Sequence, residues 1–220
     1  MITLSINGSA AAPVIGGQLI LPEQGRGIAA VEAGWDGPVP KLYDRVVLDD
    51  SEGNVFRFGV LAATVVRGRL TTTIGLGTGR LGVAIPTRHY RQMDARQVVS
   101  DLCSDSGETL SKSTGKGMRL IHWTRRAGPG GPSLEALVAN VGWIWRTLPD
   151  GTVWAGPRRF DLANTDALVI DQSATSRTVA LRPTRLDVMP ATSLLVDGVD
   201  RNILRVEYNF GANFSAKVWY

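Results

Sequence analysis

The stretch from Pro132 to Gly156 reads PSLEALVANVGWIWRTLPDGTVWAG, and it passes from a helical period to a strand period at Gly142. Ser133 is of the residue type favoured at helix N-caps, so we expect a helix to begin there. The apolar residues that follow recur at the spacing of one helix face: Leu134, Leu137, Val138 and Val141. Gly142 is expected to end this helix, because glycine readily adopts the left-handed conformation found after helix C-termini.

The residues after Gly142 predict a tryptophan-rich hairpin. Trp143 and Trp145 belong to an alternating strand whose two faces are both well filled. Pro149-Asp150-Gly151 is a turn sequence, so the segment containing Trp154 should return antiparallel. A short helix cannot bury its apolar stripe alone, and we expect it to pack on this hairpin. Core or subunit-interface packing of the tryptophans is therefore favoured over a stacking platform for bases or sugars.

The composition is that of a globular protein. Of the 220 residues, 44% are hydrophobic and 20% are charged, which leaves no case for disorder. Apolar runs fall short of the ~18 residues of a membrane span, and the N-terminus lacks the pattern of a signal peptide. We therefore expect neither stable membrane insertion nor signal-dependent secretion. Cys103 is the single cysteine, which excludes an intramolecular disulfide and a multi-cysteine zinc site.

Three regions follow one another along the chain. Residues 1–86 alternate short apolar runs with turn signals, which is typical of a small barrel or sandwich. Their clearest hairpin lies between Val47 and Phe58. Residues 87–156 hold two helices and the tryptophan hairpin, and residues 157–220 return to strands. The predicted fold class is mainly β, or α+β overall.

The first of the two helices has clear boundaries in the sequence. Asp94 is the expected N-cap, with Gln97 three residues later as in a capping box, and Gly107 is the expected stop. Its apolar stripe consists of Ala95, Val98, Val99, Leu102 and Cys103.

Two glycine-rich segments approach phosphate-loop patterns and depart from them. Residues 77–82, GTGRLG, match G-x-G-x-x-G, but Pro86 leaves no room for the helix whose N-terminus would bind a pyrophosphate. We predict a glycine-rich loop or hairpin there. Residues 113–117 lack both the leading glycine and the metal-binding hydroxyl of a phosphate loop. No cofactor is expected.

Candidate catalytic residues are few, and their surroundings disfavour catalysis. Cys103 lies in the last turn of its predicted helix, where the helix dipole disfavours a thiolate that could pair with His122. His122 and His89 come without a carboxylate pattern, which disfavours a metal site. Asp105 and Glu108 are the nearest carboxylate pair for glycan cleavage, but they bracket a helix end in polar sequence. We expect no enzymatic activity and no metal.

Positive charge concentrates in one segment of a chain whose net charge is +4. Residues 112–126 contain five basic residues and no acidic one, in a glycine-rich context that predicts an exposed loop facing solvent or a partner; polyanion contact is the alternative. Arg125 and Arg126 are candidate interface residues. Trp219 and Tyr220 are two more, because large aromatics that end a strand would be an exposed liability in a monomer. We expect them to pack on the barrel or on a neighbouring subunit.

The order of these parts resembles that of a known family. The Phe56-Arg57-Phe58-Gly59-Val60 strand, the Arg88-His89-Tyr90-Arg91 stretch, the capped helix from Asp94 and the Gly142-Trp143-Ile144-Trp145-Arg146 segment before the turn occur in succession. This succession is similar to that of tailed-phage baseplate hub or tail-tip proteins, which include the late control gene D proteins and the N-terminal part of VgrG spikes.

The resemblance implies tube-like β-barrel portions flanking a small inserted α+β segment, with residues 157–220 forming a second barrel or completing the first. It implies a structural homotrimer around the tail axis that connects the tail tube or distal tail protein to the central tip or spike. The ring would line the channel and contact genomic DNA transiently. The protein would be made in the cytoplasm of the bacterial host and reside in the virion. The alternatives are a small β-barrel that binds nucleic acid and a tail-associated cell-wall hydrolase.

Overall fold

A computed structural model describes residues 1–163 and 165–220, which form nineteen strands and two α-helices. The N-terminal strands are β1 Thr3–Ile6, β2 Ala12–Pro22, β3 Ile28–Gly34, β4 Arg45–Asp49, β5 Val55–Val66 and β6 Arg69–Leu76. The middle elements are β7 Ala84–Ile85, β8 Arg88–Asp94, α1 Ala95–Ser106, β9 Arg119–Arg125, β10 Gly128–Pro129, α2 Gly130–Asn140, β11 Ile144–Thr147 and β12 Val153–Gly156. The C-terminal strands are β13 Asp161–Leu162, β14 Leu168–Ser173, β15 Thr178–Arg182, β16 Thr192–Val196, β17 Val199–Asn202, β18 Arg205–Phe210 and β19 Ser215–Trp219.

The first six strands close into a barrel. They are hydrogen-bonded in the order β1-β4-β5-β6-β3-β2, and β2 pairs back onto β1. The predicted hairpin is β4–β5, in which Val47 lies opposite Arg57. The prediction of a mainly β protein with a barrel and two helices is confirmed.

Strand β5 contains two apolar runs of the sequence, residues 55–58 and 63–66. It continues through Gly59 and shifts register between Val60 and Ala62. A Cβ on Gly59 would lie 2.1 Å from the Thr78 carbonyl oxygen, so glycine permits the loop after β6 to approach this strand. The glycine marks a close backbone contact and does not end the strand.

The C-terminal strands extend the barrel sheet. From β2 the sheet continues through β18, β19 and β15 to β14, which gives ten strands in the described residues. Strands β13, β16 and β17 form a separate small sheet. The inner faces of both ends of the chain share one hydrophobic core, in which Leu19 and Phe56 pack in the same cluster as Val179 and Tyr208.

The middle of the chain has a second hydrophobic core. Helices α1 and α2 pack there with the tryptophan hairpin β11–β12, as predicted from the apolar stripes. Leu81 and Ile85, which precede residue 87, also contribute to this core. No helix in the described part of the chain is both long enough and apolar enough to cross a membrane.

Helix α1 follows the sequence prediction, with one exception. The Asp94 side chain accepts a hydrogen bond from the Arg96 N–H, and Gly107 follows the helix with φ +78°. The prediction of a capping box is wrong, because the Gln97 side-chain amide donates to the Asp101 carboxylate one turn further along the helix.

The prediction that Ser133 caps the second helix is also wrong. Helix α2 begins at Gly130, and Pro132 falls in its first turn, where a missing N–H costs no helical hydrogen bond. The Ser133 hydroxyl instead donates to the Pro129 carbonyl at 3.3 Å. Gly142 follows the helix with φ +69°, as expected.

Asp50 connects the β4–β5 turn to the C-terminal region. Its buried carboxylate accepts hydrogen bonds from the Leu186 N–H at 2.8 Å and from the backbone and side chain of Asn54. The Glu52 N–H also donates to it. Burial alone would raise the pKa of Asp50, but the hydrogen bonds outweigh burial and lower the pKa below its ordinary value.

Asp50→Ala is expected to lower the free energy of unfolding near neutral pH by about 2–3 kcal/mol, because hydrogen bonds to a charged acceptor are lost. The folded-state pKa lies below the unfolded one. This stabilisation is therefore present above the unfolded-state pKa of about 3.9 and is lost as pH falls through the folded-state pKa. Urea unfolding of both proteins at neutral and strongly acidic pH measures the difference. A difference independent of pH would contradict this role of the ionised carboxylate.

Candidate assembly surfaces

The Glu108 carboxylate lies at the junction between the barrel and the inserted segment, residues 87–156. Its Oε1 accepts from Arg26 Nη2 at 3.0 Å and from the Arg80 N–H at 2.9 Å, and its Oε2 accepts from the Thr78 N–H at 2.8 Å. The Glu108 side chain is 0% exposed and that of Arg26 13%. Burial lowers the pKa of Arg26, and the charge of Glu108 opposes that change. A buried ion pair thus connects the two parts of the chain.

The glycine-rich loop of residues 77–82 surrounds this carboxylate. Gly77 has φ +86°, and a Cβ there would lie 2.6 Å from Glu108 Oε2, so this position requires glycine. The loop ends in a single 3₁₀ turn, Arg80–Gly82. The prediction of a glycine-rich loop is confirmed. Its N–H groups bind an internal carboxylate at the place where a nucleotide-binding loop would bind a phosphate.

Backbone hydrogen bonds reinforce the junction along strand β11. The Gly25 N–H donates to the Trp145 carbonyl at 2.8 Å, and the Thr147 N–H donates to the Gly25 carbonyl at 3.2 Å. At the tip of the hairpin, the Arg57 N–H donates to the Pro149 carbonyl at 2.8 Å. The inserted segment is therefore attached to the barrel at several points.

The tryptophans of the hairpin serve mainly as core residues. Trp143 and Trp145 are buried in the second hydrophobic core. Trp154 is half-buried; its indole N–H donates to the Ser113 carbonyl at 3.1 Å, and the Arg146 guanidinium lies 4.7 Å from its ring centroid. Core packing is confirmed for two of the three side chains.

The cysteine and the aspartate considered for catalysis are buried or ion-paired within the fold. Cys103 is 1% exposed, and burial, together with the charge of Glu108, raises the pKa of its thiol to about 12. Asp105 accepts a hydrogen bond from Arg88 Nη2 at 2.6 Å and another from Arg125. Across residues 1–163 and 165–220, no three His, Cys, Asp or Glu side chains are grouped so that they could hold a metal ion.

The structure corrects the expected position of Arg125. Residues 119–125 form strand β9, which pairs with β8, so this part of the basic segment is not a loop. Arg125 is buried, with Nε donating to the Pro86 carbonyl at 3.0 Å and Nη2 paired with Asp105. Because its side chain is buried inside this protein, Arg125 presents no surface to a partner. Arg126 is exposed, and its interface role stays a prediction.

The two C-terminal aromatic residues are half-buried. Tyr220 packs against the first core, and the Arg201 guanidinium lies 4.8 Å from its ring centroid. The Trp219 ring centroid lies 4.7 Å from the Arg205 guanidinium and 5.2 Å from Lys217 Nζ. Tyr220 thus packs on its own barrel, while a contact of either residue with a neighbouring subunit stays a prediction.

The β8–β9 ribbon displays a basic surface built from two separate segments of the sequence. Arg91 lies opposite His122, and His89 lies opposite Thr124, with its Nδ1 3.0 Å from the Thr124 hydroxyl. Arg119 is exposed nearer the end of the ribbon. Both histidines of the chain therefore lie on one exposed ribbon with two arginines. The strand pairing that creates this surface joins segments about thirty residues apart.

The C-terminal region carries an exposed apolar surface. Large aliphatic side chains are exposed on four of its strands and on the residue before β18: Leu162, Leu168, Val169, Ile170, Leu195, Val199 and Leu204. Contiguous exposed apolar side chains mark interaction sites in soluble proteins, and Leu168, Val169 and Ile170 are consecutive on β14. The sequence predicts strands in residues 157–220, and β14 is one of them.

Two solved structures with a similar fold are tail proteins. The 43 kDa tail protein of prophage MuSo2 from Shewanella oneidensis has a TM-score of 0.72 at 11% identity, over 99% of this chain and 96% of that one. The tail protein from Neisseria meningitidis MC58 has a TM-score of 0.67 at 10% identity, over 99% and 95%. The chain has a tail-protein fold.

A third similar structure comes from a secretion system. The Escherichia coli c3393 protein, a component of the type VI secretion system with structural similarity to the bacteriophage T4 tail proteins gp27 and gp5, has a TM-score of 0.68. The match has 10% identity and covers 98% of this chain and 75% of that one. No protein-family model matches the sequence, and neither does any curated protein. The resemblance to tail proteins is confirmed at the level of the fold, while membership in the late control gene D and VgrG group stays a prediction.

Proposed function

We propose that this protein is a structural, non-enzymatic component of a phage-type tail. The observation that carries the proposal is the extent of the fold similarity, which covers 98–99% of the chain in tail proteins from two bacteria and in a type VI secretion component. The similarity therefore includes the barrel, the inserted segment and the C-terminal strands together. A fold alone does not define a function, so the surfaces must support the same role.

The proposed location is the tail tip or baseplate hub. There the protein joins the tail tube or distal tail protein to the central tip or spike, as three copies around the tail axis. A three-fold ring requires two different contact faces on each copy, because its interfaces are heterologous. The C-terminal strands expose apolar side chains, and the β8–β9 ribbon exposes basic ones. Two chemically different surfaces on one copy support such an arrangement. The protein is synthesised in the cytoplasm of the bacterial host and ends in the virion.

A rigid inserted segment suits a connecting role. The Glu108–Arg26 ion pair and the backbone hydrogen bonds of β11 hold this segment against the barrel. The non-enzymatic part of the proposal is supported by the ion pairing of Asp105 and Glu108 and by the burial of Cys103. The two carboxylates form ion pairs with arginines of the same chain, and the Cys103 thiol is buried in the core.

Purified tail particles provide the test of this function. Deleting the gene from the producing genome is expected to abolish functional tails, and supplying it in trans should restore them. Mass spectrometry of purified tails should then detect the chain in a few copies per particle. Normal tails from the deletion strain, or absence of the chain from purified tails, would contradict the proposal.

DNA passing through the ring would contact it transiently and without sequence readout. The isolated chain is therefore expected to bind duplex DNA weakly, with a Kd of roughly 10⁻⁴ to 10⁻⁶ M that rises with salt. Replacing Arg91 and Arg119 by glutamate should reduce the salt dependence, whereas the same change at Arg45 and Arg67 on the barrel should have less effect. Gel shifts at several salt concentrations measure this. Tight, sequence-selective binding by a monomer would support the nucleic-acid-binding alternative.

A further inference from the structure

Strand β14 ends the ten-stranded sheet with an exposed edge. It pairs with β15 on one side, and within residues 1–163 and 165–220 no strand pairs with its other side. Its first residues are aliphatic and exposed on both faces: Leu168 is 67%, Val169 45% and Ile170 54% exposed. A strand of a soluble protein normally buries at least one face, and an apolar edge readily pairs with another chain. Strand β14 has the properties of a docking strand.

A second open edge lies in the same sheet, on the part of β5 that extends beyond β4. Strand β4 pairs with β5 only from Val55 to Gly59, while β6 pairs with β5 up to Val66. In the described part of the chain, no strand lies beside Ala62–Val66 on the side away from β6. This open edge is five residues long, and β14 is six residues long. The two open edges are therefore of similar length.

Charge favours contact between these unlike edges over contact between two copies of β14. Asp171 within β14 is exposed, whereas the turn after β5 presents the exposed Arg67. Pairing β14 with a second β14 would place two Asp171 carboxylates and no arginine in that interface, and like charges on paired strands are destabilising. Such symmetric pairing would also end at a dimer and leave the β5 edge open.

We propose that β14 of one copy adds to the open edge of β5, residues 62–66, in the next copy. The sheet then continues from subunit to subunit around a ring, and the exposed aliphatic residues of β14 are covered at each interface. Backbone hydrogen bonds supply the affinity in this kind of strand addition, and the side chains on either face supply selectivity. The proposal rests on the ring assembly proposed above and identifies the partner of each edge as a second copy of this chain.

Cysteine cross-linking in cells that assemble tails tests the pairing. Leu168 and Thr64 lie on the outer face of the sheet, opposite Arg182 and Thr71 respectively, and both are exposed. Neighbouring residues on paired strands have Cα atoms about 4.5–5.5 Å apart, which suits a disulfide. The native Cys103 is buried and gives little background. Leu168→Cys combined with Thr64→Cys is expected to give covalent oligomers that stop at the trimer.

Matched variants fix the register and the face. Because side chains alternate, Ala62→Cys and Val66→Cys sample registers shifted by two residues, each combined with Leu168→Cys. Ala63→Cys lies on the opposite face and is expected to give no cross-link with Leu168→Cys. Each single variant should remain uncross-linked.

Three results would overturn the strand pairing. One is a covalent dimer from Leu168→Cys alone, which would show β14 paired with β14. Another is equal cross-linking from the Ala63→Cys control. The third is absence of cross-links from all three outer-face pairs in tails that contain the chain, in which case the tail function stands and the pairing fails. If the wild-type chain is absent from purified tails, the proposed function itself fails, independently of any cysteine.

Discussion

Glu108→Ala is expected to lower the free energy of unfolding by about 3–5 kcal/mol, the usual cost of removing one partner from a buried ion pair. The substitution leaves the Arg26 guanidinium without its carboxylate in a site that is 13% exposed. It also leaves the Thr78 and Arg80 N–H groups without their acceptor. The inserted segment should loosen from the barrel, because this ion pair lies at their junction.

Chemical denaturation with paired variants measures this effect. Glu32→Ala is the matched control, since Glu32 forms an ion pair with Arg69 at 3.6 Å on the exposed surface. The control should cost no more than about 1 kcal/mol. Adding Arg26→Met to Glu108→Ala should recover part of the loss by removing the uncompensated charge. Equal effects of Glu108→Ala and Glu32→Ala would contradict the role of the buried carboxylate.

Trp145→Ala is expected to destabilise the protein by about 3–5 kcal/mol, because it leaves a cavity in the second core. Trp145 is 5% exposed, and its carbonyl also accepts the hydrogen bond from Gly25 that joins the hairpin to the barrel. Loss of the indole should therefore weaken both the packing of the inserted segment and the strand that attaches it.

Trp154→Ala on the partner strand is the comparison for this substitution. Trp154 is half-buried and interacts with Arg146 and the Ser113 carbonyl, so its loss should cost about 1–2 kcal/mol. Thermal and urea unfolding of the two variants should rank Trp145→Ala well below Trp154→Ala in stability. The reverse order would contradict the assignment of the buried tryptophans to the core.

Local sequence signals predicted the parts of the fold that depend on neighbouring residues. The turn at Pro149-Asp150-Gly151 and the N-cap at Asp94 follow from side chains acting on adjacent backbone, and both are present. The N-cap of α2 was predicted four residues late, at Ser133, because serine is a favoured cap. The helix begins at Gly130 with Pro129 as its N-cap.

Contacts between distant residues could not be predicted in the same way. Glu108 reaches Arg26 across 82 positions, and nothing near either residue indicates the other. The burial of Arg125 likewise depends on Asp105, a helix residue twenty positions earlier. In both cases the sequence shows a charge in a polar context, and only the tertiary fold places that charge in the interior.

The exposure of β14 is a related case. Leu168, Val169 and Ile170 form an apolar run that predicts a strand, and the strand is present. An apolar run does not reveal whether its strand lies inside a sheet or at its edge. The same run can be buried within one chain or only at a contact between two chains. If strand addition occurs, the run marks an interface that forms between copies.

Cryo-electron microscopy of tails from the producing phage would show directly where this chain lies and how its copies pair. We expect three copies of this chain in a ring around the tail axis at the tip, between the tube and the distal tip or spike. In that ring β14 of each copy would lie beside residues 62–66 of the next. Density that placed the chain elsewhere in the particle, or with a copy number other than three, would contradict the account.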